Sequence, residues 1–435
     1  MIFLGKVFKH VKAVIFTVFI LCNITLASEN KMLNTLIERG ILTEQEALDI
    51  KKQSAQIEVS ENSLKNFSIW GRLQYQYASV SVADNYKSET SSGLEIRRIF
   101  LGTIFQINSN WDGTITADLL NGSSPKHKLT TTYIRRQIDT SVLSGNIRFG
   151  FDADNFGYED MLSSAYMLTI ERSIATRFFS CDTPEVTNYN QYAGYGALKF
   201  GSDSIGLYAN GYFYKYPKVM YGMSITSPES LTIEPPPNDR NIPNFWFNVR
   251  YNDSLSILNS DFNFELGSYS GIAPQGSVVL NGYNKYGYTY GLNPFFTFTN
   301  QKLSGYADFI ITTLQYGRPD ATQCTPWGAN VAIEYKLPFF FGEIAPTVRF
   351  SYLDTDGRGA RVNESVRNAP SIYDDFRQYY DKAMSFYAGL NWYIYSYDLR
   401  LQMAYERSKF WGDINNNNVS NTFVDAIRVQ IQLLF

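Results

Sequence analysis

From Phe67 to the C-terminus, apolar and polar positions alternate with a period of two. The pattern is cleanest at the end, where Ile427, Val429, Ile431, Leu433 and Phe435 alternate with Arg428, Gln430 and Gln432. Successive side chains of a strand point to opposite faces, so such a segment carries one face fit for lipid and one fit for water. The same alternation sets Ile147, Phe149 and Phe151 against Asn146 and Arg148, Phe245, Phe247 and Val249 against Asn248 and Arg250, and Val331, Ile333 and Tyr335 against Glu334 and Lys336. Runs of this kind predict strands near 67–79, 94–107, 112–120, 131–138, 145–151, 193–200, 204–215, 244–252, 260–268, 286–298, 303–314, 328–337, 344–354, 383–395, 398–408 and 423–435, sixteen in all.

The connections between these runs alternate long and short. That rhythm fits an all-β fold, a transmembrane antiparallel β-barrel with short turns on the periplasmic side and long loops outside. Closure follows from solvation, because hydrocarbon offers no partner to backbone N–H and C=O groups and only a sheet without edges can cross it. Barrels of about sixteen strands enclose water unless a loop enters. The longest connection, Asp152 to Tyr192, is the third outside loop and is expected to fold into the lumen and set its narrowest point; the alternative is a surface flap.

Ahead of the strands the period is helical. Leu33, Leu36, Ile37, Ala47, Leu48 and Ile50 are apolar at helical spacings, Gly40 breaks the run, and Thr43 with Glu46 forms a capping box that starts a second helix. Residues 28–66 therefore read as a periplasmic helical segment, either a trimer-forming or wall-facing element or a leader to the barrel. Residues 1–27 read as a signal peptide: basic residues to Lys12, an apolar run from Ala13 to Leu21, then Thr25-Leu26-Ala27 before Ser28. No later segment approaches the ~18 consecutive apolar residues of a spanning helix. The barrel domain is thus residues 67–435.

Composition agrees. Aromatic residues make up 16% and charged residues only 18% of the chain, against roughly 25% charged in soluble domains. The net charge of −3 leaves no basic footprint for nucleic acid. Trp392, Tyr393, Tyr395 and Tyr397, and Tyr286, Tyr288 and Tyr290, gather at strand ends as interfacial girdles would.

With the lipid face set by the alternation, Arg72, Arg98, Arg148, Arg250, Arg349, Arg400, Arg428 and Lys336 point inward, opposed by Asp118, Asp261, Glu265, Asp308, Glu334 and Glu406. Arg72, Arg98, Arg148, Arg250 and Arg349 are the pore-lining, anion-binding candidates, since several arginines together focus a field in a narrow tube. The third loop carries Asp152, Asp154, Glu159, Asp160, Glu171, Asp182 and Glu185 against only Arg172 and Arg177. An acidic constriction repels anions unless its carboxylates pair with wall arginines or point away.

Gly93-Leu94-Glu95-Ile96-Arg97-Arg98-Ile99-Phe100-Leu101-Gly102, then Trp111 and Asp118-Leu119-Leu120-Asn121-Gly122, Gly150 to Gly157, Leu162-Ser163-Ser164 and Ile170-Glu171-Arg172-Ser173 follow one another in an order that resembles the phosphate-selective porin O and P family. Val348 to Asp354, Gly389 to Tyr393, the closing Ile427 to Phe435 and the helical Ile41 to Ala47 extend the resemblance over nearly the whole mature chain. It implies a trimeric channel in the bacterial outer membrane, some members of the family taking up phosphate through a lumen lined with Arg and Lys. Arg97 and Arg98 match the family's paired arginines. Neighbours on a strand face opposite ways, so one of the two needs a bulge or a place beyond the bilayer core, and Arg98 is the better lumen candidate.

Other chemistry is thin. His127 is the one histidine after the leader and has no nucleophile motif beside it, so an enzyme is not expected. Cys181 and Cys324 are too far apart in sequence for a local metal site, and both fall in outside loops where a disulfide could join them or leave two thiols. No cofactor is implied. The expected function is passive diffusion of small hydrophilic solutes, among them anions such as phosphate, by a homotrimer embedded in outer-membrane lipid; the alternative is a structural or adhesion protein anchored by its barrel.

Overall fold

The computed structural model describes residues 66–120, 129–154, 156–180, 196–198, 200–201, 203–227, 243–257, 260–274, 278–280, 283–285, 287–318, 320, 322–371, 379–414 and 421–435. The expected signal peptide and helical segment, His127 and Cys181 with its pairing to Cys324 lie outside them. In chain order the described strands are β1 (Asn66–Ala83), β2 (Ser88–Gln106), β3 (Trp111–Asp118), β4 (Leu129–Asp139), β5 (Leu143–Asp152), β6 (Ser204–Phe213), β7 (Tyr216–Thr226), β8 (Asn244–Ile257), β9 (Ser260–Pro274), β10 (Val278–Leu280), β11 (Tyr283–Lys285), β12 (Tyr288–Thr299), β13 (Leu303–Leu314), β14 (Trp327–Tyr335), β15 (Leu337–Pro338), β16 (Glu343–Asp354), β17 (Tyr380–Tyr395), β18 (Leu399–Asp413) and β19 (Asn421–Leu434). β10 and β11 form a separate hairpin in a long loop, and β15 is a two-residue pairing beside β16 in the turn after β14. The other sixteen strands form one antiparallel sheet in which each strand pairs with the next and β19 pairs back onto β1.

Two compact units divide the chain. In the smaller, which takes residues up to Trp70 and Gly102–Thr114, the Trp70 indole lies across Gly102, where any Cβ would meet the ring at 2.3 Å. The Asn66 amide donates to Gln106 at 2.7 Å, and Asn108 caps the turn into β3 by accepting from the amides of Asn110 and Trp111. The larger unit, Gly71–Leu101 with Ile115–Phe435, contains the closure itself. Register runs from Arg72 opposite Leu434 to Ala83 opposite Phe423. Beyond it, the Gly71 amide donates to the Phe435 carbonyl at 2.7 Å and the Phe435 amide returns a bond to Gly71 at 3.1 Å.

Turn chemistry explains the short connections. Thr140 accepts through its hydroxyl from the amides of Val142 and Leu143, and Asn300 accepts from Lys302 and Leu303; short polar side chains stand in for backbone at such corners. The wall is inside out. On β19 the outward Ile427 and Phe435 are 53% and 54% exposed, whereas Gln430 and Gln432 are 1% exposed. A face of exposed Ile, Leu and Phe around a closed sheet is a surface made for hydrocarbon. Inside, amides knit the strands, Gln432 to Gln74, Gln430 to Gln402 and Gln402 to Asn391.

Sixteen barrel strands match the expected number through two errors that cancel. Residues 196–198 and 200 are not a strand but the return leg of the third loop, where the amides of Leu198 and Phe200 bond the carbonyls of Phe178 and Phe179. β7, at residues 216–226, occupies what reads as loop, because Pro217 at its start and Gly222 within it resemble loop residues. Pro is tolerated where a strand begins. The third loop therefore runs over 153–203, and the first shrinks to 84–87 because β1 and β2 extend further than the apolar alternation does. Tyr393, expected in a girdle, instead faces inward at 1% exposure and donates to Glu334.

Candidate functional site

The third loop runs inside the barrel. It carries α1 (Tyr158–Met161) and α2 (Ile174–Phe179), the latter capped by Ser173, whose hydroxyl accepts from the Thr176 amide at 3.1 Å. Its apolar side chains, Phe156, Ile174, Phe178, Phe179 and Phe200, join Trp246, Tyr269, Phe295, Ile310 and Leu353 of the wall in one buried cluster. The seventh loop carries α3 (Val362–Ser365) and holds α2 from the loop side, the Arg177 guanidinium donating to the Glu364 carbonyl at 3.1 Å.

Polar contacts fix the rest of the loop to the wall. Arg349 of β16, 0% exposed as a side chain, bonds Thr169 at 3.0 Å, the Glu171 carbonyl at 2.6 Å and Glu406 at 2.8 Å, and pairs with Glu159 at 3.4 Å. Glu159 also accepts from Tyr306 at 2.9 Å and from the Ser173 amide at 3.0 Å and hydroxyl at 2.6 Å. Burial alone would raise its carboxyl; Arg349 and Ser173 override that and hold it below its ordinary value. Arg428 reaches Glu406 at 3.3 Å and the Arg367 carbonyl at 2.8 Å.

Glu171 is the second anchor. Arg97 grips it with two bonds, 2.8 and 2.9 Å, Gln76 donates at 3.3 Å, and Arg367 of the seventh loop lies at 3.6 Å while bonding Glu95 at 3.0 Å. Burial pushes this carboxyl up too, yet the surrounding arginines, Arg97 foremost, keep it well below the usual range. Arg97 and Arg98 both reach inward partners, Arg98 donating to Gln74 at 2.8 Å. The inward parity moves by one residue between them, the signature of a β-bulge. Sequence reasoning set Arg97 second to Arg98, because strict alternation lets only one of the two face inward, and missed Arg367, which sits in a loop with no period at all.

Two of the remaining loop acids pair with arginines. Asp152 pairs with Arg148 at 2.5 Å and Asp160 with Arg172 at 3.0 Å. Asp154, buried beside the Ser204 hydroxyl at 3.1 Å, has no cation partner among the described residues, and burial raises its carboxyl well above the ordinary value. Asp182 and Glu185 lie outside the described residues. Among the described residues, three inward arginines bond only uncharged groups: Arg72 the hydroxyls of Ser164 and Ser163, at 2.5 and 2.9 Å, Arg98 the Gln74 amide, and Arg400 the Met167 carbonyl at 2.8 Å. Arg72 feels the charges of Arg172 and Arg400, and Arg98 those of Arg97, Arg172 and Arg72, so β1, β2 and β18 carry a concentrated positive sector. On β13 and β14, Asp308 meets the Asn293 amide at 3.1 Å, and Glu334 accepts from Asn391 and Tyr393.

Arg148 and Arg250 keep part of their surface open, 17% and 25% as side chains, and Arg250 pairs with Glu265 at 3.8 Å. Arg135, directly opposite Arg148, adds a second cation to that wall. Lys336 lies over the Tyr393 ring at 4.7 Å, Asp118 accepts from the Leu120 amide, and Asp261 from Ser256 near a short turn. The lumen thus has a loop in which Asp152, Glu159, Asp160 and Glu171 are paired with arginines, and a wall that carries both arginines and carboxylates.

No family model and no curated protein matches this sequence. Among solved structures, the outer membrane channel DcaP of Acinetobacter baumannii is 13% identical over 86% of this chain and 99% of that one, with a TM-score of 0.52. OprB of Pseudomonas putida is 12% identical over 88% and 97% at 0.49, and an anion-selective porin from Comamonas acidovorans 12% over 85% and 99% at 0.48. The likeness to DcaP is one of fold. A closed barrel of sixteen strands with an apolar outer wall and this fold resides in the bacterial outer membrane.

Proposed function

We propose that the protein is a porin: a water-filled channel through which small hydrophilic solutes diffuse down their gradients, with anions such as phosphate preferred. One observation carries this reading. Four acids of the inserted loop, Asp152, Glu159, Asp160 and Glu171, are paired with arginines, while among the described residues Arg72, Arg98 and Arg400 bond uncharged partners. Fixed cations in a low-dielectric tube concentrate anions. The proposed assembly is a homotrimer.

The test is single-channel recording in a planar bilayer with a salt gradient. A reversal potential set by chloride, and block of that current by added phosphate, is the expected result; Arg98→Ala should reduce both. Current without anion preference would leave a general porin. The apolar cluster inside the barrel favours the second reading, a barrel used as an anchor for its loops, and absence of any conductance would establish it over the channel.

A further inference from the structure

Away from the lumen, the outer wall of β16 to β19 carries side chains foreign to hydrocarbon. From Leu433 up to Ile427, outward β19 residues are apolar over about 20 Å of strand at ~3.4 Å per residue. Directly above, the outward positions become charged: Arg407 opposite Asp425, Lys409 opposite Phe423, and Lys382 beside Asp354 and Trp411. These residues lie on the long-loop side of the apolar band, at the level of the outer leaflet's headgroups.

Their setting is aromatic. Lys409 lies 5.5 Å from the Trp411 ring and 5.9 Å from that of Phe423, and Arg407 lies 5.2 Å over Phe423. Tyr352 stacks between Trp327 and Trp411 at 5.0 and 6.1 Å. Asp425 takes up part of Arg407 at 3.8 Å and a bond from the Tyr405 hydroxyl, and Asp354 pairs with Lys382 at 3.2 Å. Lys409 meets rings and no carboxylate among the described residues. Arg407 keeps 57% and Lys382 38% of side-chain exposure, so three cations face two acids on an open surface.

We propose that this patch is a docking site for a phosphorylated lipid headgroup of the outer leaflet. Rings at the interface seat the acyl-chain boundary, and the three cations stand where phosphate groups lie. The argument is one of charge and depth. A neighbouring subunit would be expected on an uncharged aliphatic face, whereas a cation-rich, ring-lined rim above an apolar band complements an anionic headgroup with its chains pointing down.

The test is native mass spectrometry of the full protein from nanodiscs of phosphatidylcholine doped with lipid A or with dephosphorylated lipid A. The wild type should retain lipid A and release the dephosphorylated form. Each cation near an anionic surface contributes roughly fivefold in affinity, so Lys409→Gln, which breaks no ion pair, should weaken retention about fivefold. The triple variant with Lys382→Gln and Arg407→Gln should weaken it by on the order of a hundredfold. Retention of the dephosphorylated form to the same extent, or unchanged retention by Lys409→Gln, overturns the proposal. So does conversion of the triple variant to a smaller oligomer while its heat-modifiable band shows a folded barrel, because the patch is then a subunit contact.

Discussion

Glu171→Ala removes the carboxylate on which the inserted loop is hung. Arg97 supplies two charge-assisted bonds at 2.8 and 2.9 Å, Gln76 a longer one, and Arg367 an ion pair at 3.6 Å. Removing one partner of a buried pair costs about 3–5 kcal/mol because the other charge is left in place. Arg97 retains 14% of its side-chain exposure and can be partly resolvated, which puts the loss at the lower end, about 3 kcal/mol. That corresponds to a shift of roughly a hundredfold or more toward a released loop. The strand pairing of the wall is untouched, so the loss should appear as local opening and not as unfolding. In single-channel records the variant should show larger conductance, excess current noise and stronger anion preference, since Arg97 loses its bidentate carboxylate while Arg367 keeps Glu95. Glu171→Gln, which keeps one acceptor, should fall between. Wild-type conductance and quiet current in a folded Glu171→Ala protein would refute the account of how the loop is held. The same pair sets a pH limit. The folded carboxyl lies well below its ordinary value of 4.5, so its contribution is complete above that value and is lost as pH falls through the depressed one. The loop should stay locked at neutral and mildly acid pH and loosen only in stronger acid.

Asp154→Asn should stabilise the protein at neutral pH by about 1 kcal/mol or more, because it removes a buried charge that has no cation partner among the described residues. The raised carboxyl destabilises the fold only where it must ionise, so the gain, read as the temperature at which the fast-migrating gel band is lost, should vanish in acid. Gly71→Val should hinder closure, since a Cβ at Gly71 would lie 2.2 Å from the Phe435 ring; the fraction of heat-modifiable protein after refolding measures it. Arg349→Met should leave the barrel folded yet leave Glu159 without its arginine and Glu406 with Arg428 alone, shifting the reversal potential toward cations, whereas Arg250→Met, at a quarter-open and weakly paired site, should change selectivity only slightly.

Period two made the wall legible because lipid outside and water inside impose opposite demands on neighbouring residues. It failed where that contrast lapses. Leu198 and Phe200 are apolar because they pack on the inserted loop's own helix, not because they face lipid. In β7, Met220 and Gly222 line the inner face without the polarity that marks a strand. The loop's entry was anticipated from its length and from sixteen strands. Its anchoring was not, since Arg349 and Glu159 are 190 positions apart, and nothing local to either marks the other. The bulge at Arg97 and Arg98 was anticipated as a choice between the two; the protein uses both.

The seam between β1 and β19 also dictates an order of events. Arg72 sits opposite Leu434 and Gly71 opposite Phe435, so the first strand's partner is made long after it, with 358 positions between Gln74 and Gln432. Until then β1 is an open edge, and no subset of strands can be lowered into a bilayer with its backbone satisfied. Assembly must wait until β19 has been made, and the loss of β19 should leave a chain that stays in water, exposed to proteases, instead of a slightly weaker pore. Contacts of such extreme sequence separation also make spontaneous closure slow, leaving an interval in which the unassembled chain needs an escort.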